Sequence, residues 1–450
     1  MFSDSIPAEV LNLIAILESR GYEAYLVGGC VRDLLRGVPP HDWDMTTSAT
    51  PEQMKECFAE FRTIETGIKH GTLTVLSGGR SFEVTTYRVD GKYEDNRRPS
   101  EVFFTRRLSD DLSRRDFTVN AMALNPGRGI CDIFGGREDI ERRIIRCVGE
   151  PDRRFGEDGL RILRALRFAS TLDYEIDSET AASIHKNRSL LGNISAERIR
   201  DEFFKLICGR GAERILLEYS DVICEFIPEL KETVGFDQRN RYHAYDVYTH
   251  SVKALAAVSP DHVVRLALLL HDIGKPATFT EDENGGHFYG HQEISANLTS
   301  QILRRLRADN ATVSAVTTLV AAHHKIITNT EKGVRRALAS LGESNLRRLL
   351  ELRRGDNSAL ISELKEERLA EIAETERLLS EILTKDCCLS LRHLAIKGDD
   401  LLALGMKPGR GVGRLLASLL EEVIDGSLPN EREVLLAEAE KRMAELSESK

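Results

Sequence analysis

Near residue 150 the sequence changes texture, and this change limits the folds open to the chain more than any other feature. Before it, strand-like and helical segments alternate. Residues 6–20 carry apolar side chains at helical spacing, and Gly21 is placed to stop that helix. YEAYLV (22–27) reads as a buried strand running into Gly28-Gly29, followed by a short helix over 31–37 and a Pro39-Pro40 turn. Further strands are predicted around Asp42–Met45, at 70–76 and at 81–88, the last two separated by Gly78-Gly79. After residue 150 helical periodicity dominates. Candidate joints are Gly149–Pro151, Gly209–Gly211, Gly235 and Asn284–Gly286, and 361–384 reads as a charged helical strut. No tandem repeat or low-complexity stretch interrupts the pattern. The expectation is an α+β head with a small mixed sheet on a long all-α body.

Composition agrees with this. With 450 residues, 41% hydrophobic and only 6% aromatic, the chain has enough apolar material for two to four packed units and leans toward helices. The acidic excess, 72 against 62, gives a net charge of −10. That excludes a uniformly basic protein but leaves room for a basic cleft. The eight cysteines are scattered without a CxxC pair and read as reduced thiols. The opening MFSDSIPAEV has no basic-then-apolar leader, and the most apolar run, LALLL (266–270), is too short for a bilayer. A cytoplasmic protein without membrane contact is expected.

Two local patterns carry chemistry. Gly28-Gly29-Cys30-Val31-Arg32-Asp33 lies where a strand turns into a helix. There backbone N–H groups of Gly29 can approach a triphosphate and Arg32 can add a charged contact, although most such turns are merely tight turns. The Walker pattern is absent. His41-Asp42-Trp43-Asp44 places two carboxylates on one strand face, which suits paired Mg²⁺ ions. An isolated D-x-D is more often a pair of solvated acids. Glu83 on a neighbouring strand is a candidate third carboxylate.

Together, LVGGCVRDLLRG and HDWDMTTSATPEQ resemble the signature of the polymerase-β-like nucleotidyltransferases, in particular class II tRNA CCA-adding enzymes and bacterial poly(A) polymerases. The order continues through DGKYEDNRRPSEVFF (90–104), RRDFTVNAMA (114–123), DIFGGREDI (132–140), EDGLRILRALRFA (157–169) and AERIRDEFFKLI (196–207). The resemblance implies that Asp42 and Asp44 hold Mg²⁺ and that Gly29 and Arg32 hold phosphate. It implies that Arg115 and Asp116 address the sugar, with Asn120 one turn on. Asp158 and Arg161, expected on one helical face with Glu157 orienting Arg161, would read the base of CTP or ATP in place of a template. Arg164 and Arg167 would extend that face toward triphosphate or the tRNA end. Between 142 and 167 eight arginines face four acids, a local +4 that also fits a solvated helix face. The 90–104 loop, with Asp90, Glu94, Asp95, Arg97 and Arg98, accompanies terminal A addition in that family.

A second order, His250, then His271-Asp272, then Asp356, resembles the HD phosphohydrolase superfamily. Such a set suits Mn²⁺, Ni²⁺, Fe or Mg²⁺ and an activated water. His291 and His323 sit where larger two-metal members carry further ligands, so metal binding is expected, while catalytic turnover and retention as a folded spacer weigh equally. The GMKPGRGVG run (405–413), with Lys407 and Arg410, could touch RNA phosphates or simply join helices.

The resemblance thus implies a nucleotidyltransferase head over 1–148, a nucleotide-selecting helical neck over 149–235, an HD domain over 236–360 and a tRNA-contacting helical tail over 361–450. The leading expectation is template-independent addition of CCA to tRNA from CTP and ATP. An A-adding enzyme or poly(A) polymerase shares the motifs. A phosphohydrolase or 2′,3′-cyclic phosphodiesterase acting through the HD residues is the second alternative, and a non-catalytic RNA-binding protein the third.

Overall fold

The head is built on a mixed seven-stranded sheet. The structure, a computed structural model, describes residues 5–91, 102–239, 244–283, 285–360, 362–384, 388 and 390–448. It divides into two compact units, 1–231 with 305–308, and 232–304 with 309–450. Strands are numbered along the chain as β1 (Ala24–Val27), β2 (Asp44–Thr47), β3 (Arg62–Ile64), β4 (Thr72–Ser77), β5 (Arg80–Thr86), β6 (Arg88–Asp90), β7 (Val102–Phe104), β8 (Met122–Asn125) and β9 (Gly129–Asp132).

The sheet order is β3-β4-β5-β2-β1-β8-β9, and β6 pairs separately with β7. The β2–β5 pair is parallel; the other pairs within the seven-stranded sheet are antiparallel. All four residues of β1 are buried, because both faces of the sheet are covered. Ala24 and Leu26 join a core with Val10, Leu13 and Leu17 of the helix Ala8–Ser19, while Tyr25 and Val27 pack on the opposite side with Tyr87 and Leu112.

The sheet-and-helix head gives way to helices after residue 150, as the periodicity predicts. Helices Pro151–Glu157, Leu160–Leu172, Ser178–Asn187 and Ala196–Ile207 complete most of the first unit, with Leu160–Leu172 packed on Ala196–Ile207. In the second unit the apolar helix His262–Leu270 is packed against Val247–Ala256, Asn310–Ala322 and Glu331–Ser358. Glu331–Ser358 breaks at Gly342, and Ser362–Thr384 lies against it. A smaller apolar core joins the helices Arg410–Ile424 and Arg432–Glu448. Among the described residues no helix is long and apolar enough to cross a membrane.

Three local expectations differ from the structure. The predicted helix through 157–169 is two helices, with Asp158 extended at φ −144°, ψ 106° between them. Asp158 and Arg161 therefore do not share one helical face; the Asp158 carboxylate instead accepts the Leu160 N–H at 3.1 Å at the start of the second helix. Arg114 caps the C-terminus of the helix Leu108–Ser113 instead of opening an apolar helix, and only a 3₁₀ turn, Thr118–Asn120, follows. The β2 ladder begins at Asp44, one step beyond Trp43. Glu94, Asp95, Arg97 and Arg98 lie outside the described residues.

Candidate functional site

Trp43 fixes the acidic pair in the head. Its side chain is buried in the core while Asp42 and Asp44 on either side are exposed, so the out-in-out alternation aims both carboxylates away from the core. Asp44 and Glu83 are register partners on the parallel strands β2 and β5. Desolvation by the surrounding walls, then repulsion from Glu83, raises the Asp44 pKa, with Asp42 adding to it and Arg115 opposing. A carboxylate whose charge is opposed by its carboxylate neighbours is a fit for a divalent cation. Asp42 is solvent-exposed and takes a 3.0 Å contact from His41 Nδ1.

The glycine turn stands beside these acids. Gly28 has φ +79°, a left-handed conformation that a side chain would strain, and a Cβ built there would stand 3.4 Å from Arg115 Nη1. Gly29 begins the helix Gly29–Leu35, which buries Arg32. Arg115 donates to Asp111 at 3.1 Å, and its buried Nε has no hydrogen-bond partner among the described residues. Asp111 is buried and also receives Arg114 at 2.7 Å. Burial alone would raise the Asp111 pKa, but Arg115 and Arg114 bring it below the ordinary carboxylate value.

One polar chain gathers five more of the predicted nucleotide-binding residues. Arg32 is paired with Asp33 at 3.0 Å and donates to Asn120 Oδ1 at 2.7 Å; Asn120 donates to Asp116 at 3.3 Å. Arg164 clasps Asp116 through Nε at 2.9 Å and Nη2 at 2.5 Å. Burial works against the charged Asp116, yet Arg164 holds its pKa down at about 2. Arg167 donates to Glu202 at 2.7 Å and lies 3.5 Å from the Phe168 ring centre, with Arg32 and Arg164 each at 5.4 Å. Arg164 and Arg167 are thus engaged by carboxylates, where the sequence suggested a face open to phosphate.

The proposed base-reading pair sits at the helix joint. Arg161 donates to Glu157 at 2.6 Å and to the Arg114 carbonyl at 3.1 Å. Asp158 is held by Arg198 at 2.8 Å and by the Leu160 N–H at 3.1 Å.

The second unit holds a compact cluster of imidazoles and carboxylates. Gly355 makes its close packing possible: a Cβ there would meet the Ala254 carbonyl oxygen at 2.7 Å. The approach leaves Asp356 Oδ1 2.8 Å from His250 Nε2 and 3.6 Å from His271 Nε2. Asp272 is central. Its Oδ2 lies 3.1 Å from His271 Nε2 and 2.6 Å from Lys275 Nζ, and its Oδ1 lies 3.3 Å from His291 Nε2 and 3.8 Å from His323 Nε2.

Three rings are set by the backbone. The Nδ1 atoms of His271, His291 and His323 lie 2.7, 2.7 and 2.6 Å from the carbonyls of Leu268, Phe288 and Val320. With the proton on Nδ1, Nε2 is left as a donor of electrons. The Nε2 atoms of His291 and His323 are 3.3 Å apart, and His291, His323 and His324 form one candidate ligand group beside His250, His271 and Asp272. Burial, then His271, lowers the His323 pKa to about 3, and burial lowers His324 to about 4, so both are neutral imidazoles. At His271 burial is outweighed by Asp272 and Asp356, which raise the pKa to about 10. An imidazolium or a metal ion satisfies those two carboxylates. Among the described residues the buried Nε2 of His271 and Oδ1 of Asp272 make no hydrogen bond of good geometry, and the donor set fits a divalent transition metal.

Comparison with known proteins places these features. A family profile described as Poly A polymerase head domain matches residues 24–146. One described as a probable RNA- and SrmB-binding site of polymerase A matches 173–233, and one described as tRNA nucleotidyltransferase domain 2 matches 288–439. A CCA-adding enzyme of Enterococcus faecalis is 36% identical over 439 residues, covering 96% of each chain. One from Lactobacillus delbrueckii subsp. bulgaricus is 36% identical over 422 residues, covering 94% of each. The chain belongs to the CCA-adding enzyme family. Among solved structures, the Bacillus stearothermophilus CCA-adding enzyme in complex with CTP superposes with a TM-score of 0.73 at 31% identity, covering 98% of both chains.

Within this CCA-adding family member, three residues of the site were not singled out from sequence. Asp111 anchors Arg114 and Arg115, Arg198 holds Asp158, and Glu202 holds Arg167. Arg198 and Glu202 lie in the AERIRDEFFKLI stretch that carried the resemblance, so the stretch was visible while its partners were not. For Asp111 no periodic or motif signal points to the role.

Proposed function

We propose that this protein adds CCA to the 3′ end of tRNA, using CTP and ATP and releasing pyrophosphate without a nucleic-acid template. The reading rests above all on the pairing of Asp44 with Glu83 beside the Gly28-Gly29 turn. Asp42 and Asp44 would hold Mg²⁺, which when bound lowers the pKa of the attacking 3′-hydroxyl and stabilises the leaving pyrophosphate. Gly29 and Arg32 would meet the phosphates, and Arg115, backed by Asp111, would face the same anion. Asp116 and Asn120 would address the ribose, held in place by Arg164. Asp158 and Arg161 would present an acceptor and a fork of donors to the base edge, with Glu157 and Arg198 orienting them. Arg167 acts through Glu202 and Phe168.

The experiment is nucleotide addition to tRNA transcripts ending at the discriminator base, at C and at CC, with CTP and ATP separately and together. Growth by CCA and then a stop is the expected result. A single A on the CC-ended transcript alone would make it an A-adding enzyme, and long A tails would make it a poly(A) polymerase.

A second reading is favoured by the convergence of His271, His291 and His323 on Asp272. We propose that the second unit is an HD-type domain in which His250, His271, Asp272 and Asp356, joined by His291, His323 and His324, hold divalent metal and hydrolyse a phosphoester at RNA ends. Bound metal would supply an activated water. His271→Ala should remove a metal-dependent phosphatase or cyclic phosphodiesterase activity that Asp42→Ala leaves intact.

A further inference from the structure

Three arginines converge on one phenylalanine in the first unit. Phe168 lies on the helix Leu160–Leu172, one position after Arg167 and one helical turn after Arg164. The guanidinium carbon of Arg167 stands 3.5 Å from the ring centre, close enough for face contact, and those of Arg164 and Arg32 stand at 5.4 Å. Arg32 comes from a distant part of the chain, the helix Gly29–Leu35 that follows the glycine turn. A second aromatic ring closes the set: Phe117, next to Asp116, meets Phe168 edge-on at 5.8 Å and 78°. Both rings are buried.

Carboxylates alone do not account for this convergence. Arg32 is engaged at its edge by Asp33 and Asn120, Arg164 by Asp116 and Arg167 by Glu202. Each ion pair satisfies a guanidinium by cancelling its charge, and the three like charges still repel. Burial lowers the Arg167 pKa against the attraction of Glu202, and Arg164 adds to the lowering. An aromatic ring attracts a cation through its quadrupole and adds no negative charge. It therefore steadies a guanidinium while leaving its field to act on an incoming phosphate. A leucine would fill most of the same space and supply no such attraction.

We propose that Phe168 is a positioning residue for the triphosphate of the incoming nucleotide, holding Arg32 in register with the helix that carries Arg164 and Arg167. The proposal rests on the reading of Arg32 as a phosphate ligand and deepens it. It assigns the ring to the phosphates and not to the base, so CTP and ATP feel its loss equally.

The test uses the full-length protein with Mg²⁺ and a series in which Phe168 is replaced by its mono-, di- and trifluorinated analogues. Fluorine drains the ring quadrupole stepwise at nearly constant shape, and Phe168→Leu removes it altogether. KM for CTP and for ATP should rise stepwise and in parallel, to about fivefold in the trifluoro protein and in Phe168→Leu, with kcat within about twofold of the parent. The inhibition constant of inorganic pyrophosphate, which has neither sugar nor base, should rise by the same factor. Incorporation of UTP and GTP relative to CTP and ATP should stay as in the parent. A flat fluorine series overturns the proposal, whatever Phe168→Leu does, because the ring then only fills space. So does a KM increase without a change in pyrophosphate inhibition, or one confined to a single nucleotide. If the parent extends no transcript, the addition reading falls, and the dissociation constants of CTP and pyrophosphate across the same series decide the proposal. A parent that binds neither overturns it as well.

Discussion

Arg198 reaches across forty positions of sequence to hold Asp158, with Nη2 2.8 Å from Oδ2 and Nη1 3.4 Å from Oδ1. Asp158 is extended between two helices, so no helical backbone fixes it. If Asp158 reads the base, Arg198 sets how well. Arg198→Ala is expected to lower kcat/KM for CTP and ATP about tenfold, roughly 1.4 kcal/mol, and to relax discrimination against UTP and GTP. Because the pair is partly exposed, thermal stability should change little. Steady-state incorporation of all four nucleotides checks this. Arg198→Lys restoring rate without restoring discrimination would separate positioning from mere charge.

Asp116 links acid stability to the nucleotide site. Its folded pKa of about 2 lies below the ordinary 3.8, so its contribution is complete above the unfolded value and is lost as pH falls toward 2. The difference is worth roughly 2 kcal/mol. Asp116→Asn should cost about that much at pH 7, and the gap to the parent should narrow below pH 4. Urea unfolding at several pH values measures it, and a gap independent of pH would contradict the ion-pair account.

For Asp44 the sign is reversed. A raised folded pKa means that the ionised carboxylate is unfavourable in the fold, so this stability penalty is absent below the unfolded pKa and grows as pH rises through the folded one. Asp44→Asn should therefore match or exceed the parent in Tm at neutral pH without divalent ions, while nucleotide addition falls by several orders of magnitude. Added Mg²⁺ with CTP should raise the parent's Tm and leave the variant's unchanged.

The histidine cluster predicts a different metal response. Mn²⁺ or Ni²⁺ at one hundred times its dissociation constant should stabilise the second unit by about 2.7 kcal/mol. His323→Ala should abolish that shift, whereas nucleotide addition by the head should stay within twofold of the parent. Differential scanning calorimetry with and without chelator reads the first effect, and the transcript assay reads the second.

Local patterns were legible in the sequence where one segment contains the whole feature. The strand, the Gly28-Gly29 turn and the following helix appear nearly where the apolar run and the glycines put them. The Asp42-Trp43-Asp44 alternation survives because it is a property of three consecutive residues. Pairings between distant segments were not legible. A surplus of arginines over 142–167 suggested a solvated or phosphate-facing surface, but charge sums do not show partners. Arg161, Arg164 and Arg167 are answered by Glu157, Asp116 and Glu202, two of them from other segments. The helix break hid for a different reason: apolar periodicity runs through 157–169, while the backbone turns extended at Asp158, a position that periodicity does not mark.

Three imidazoles of the cluster, those of His271, His291 and His323, place Nδ1 against main-chain carbonyls three residues upstream. Every amino acid supplies such a carbonyl. Substitutions at Leu268, Phe288 and Val320 that preserve the turn therefore leave the rings aimed as before, and the cluster tolerates drift in its own supports. Its vulnerability is concentrated elsewhere, in the rings themselves. A lineage can rewrite most of the surrounding helices and keep this site, yet retire it in one step by exchanging a single histidine.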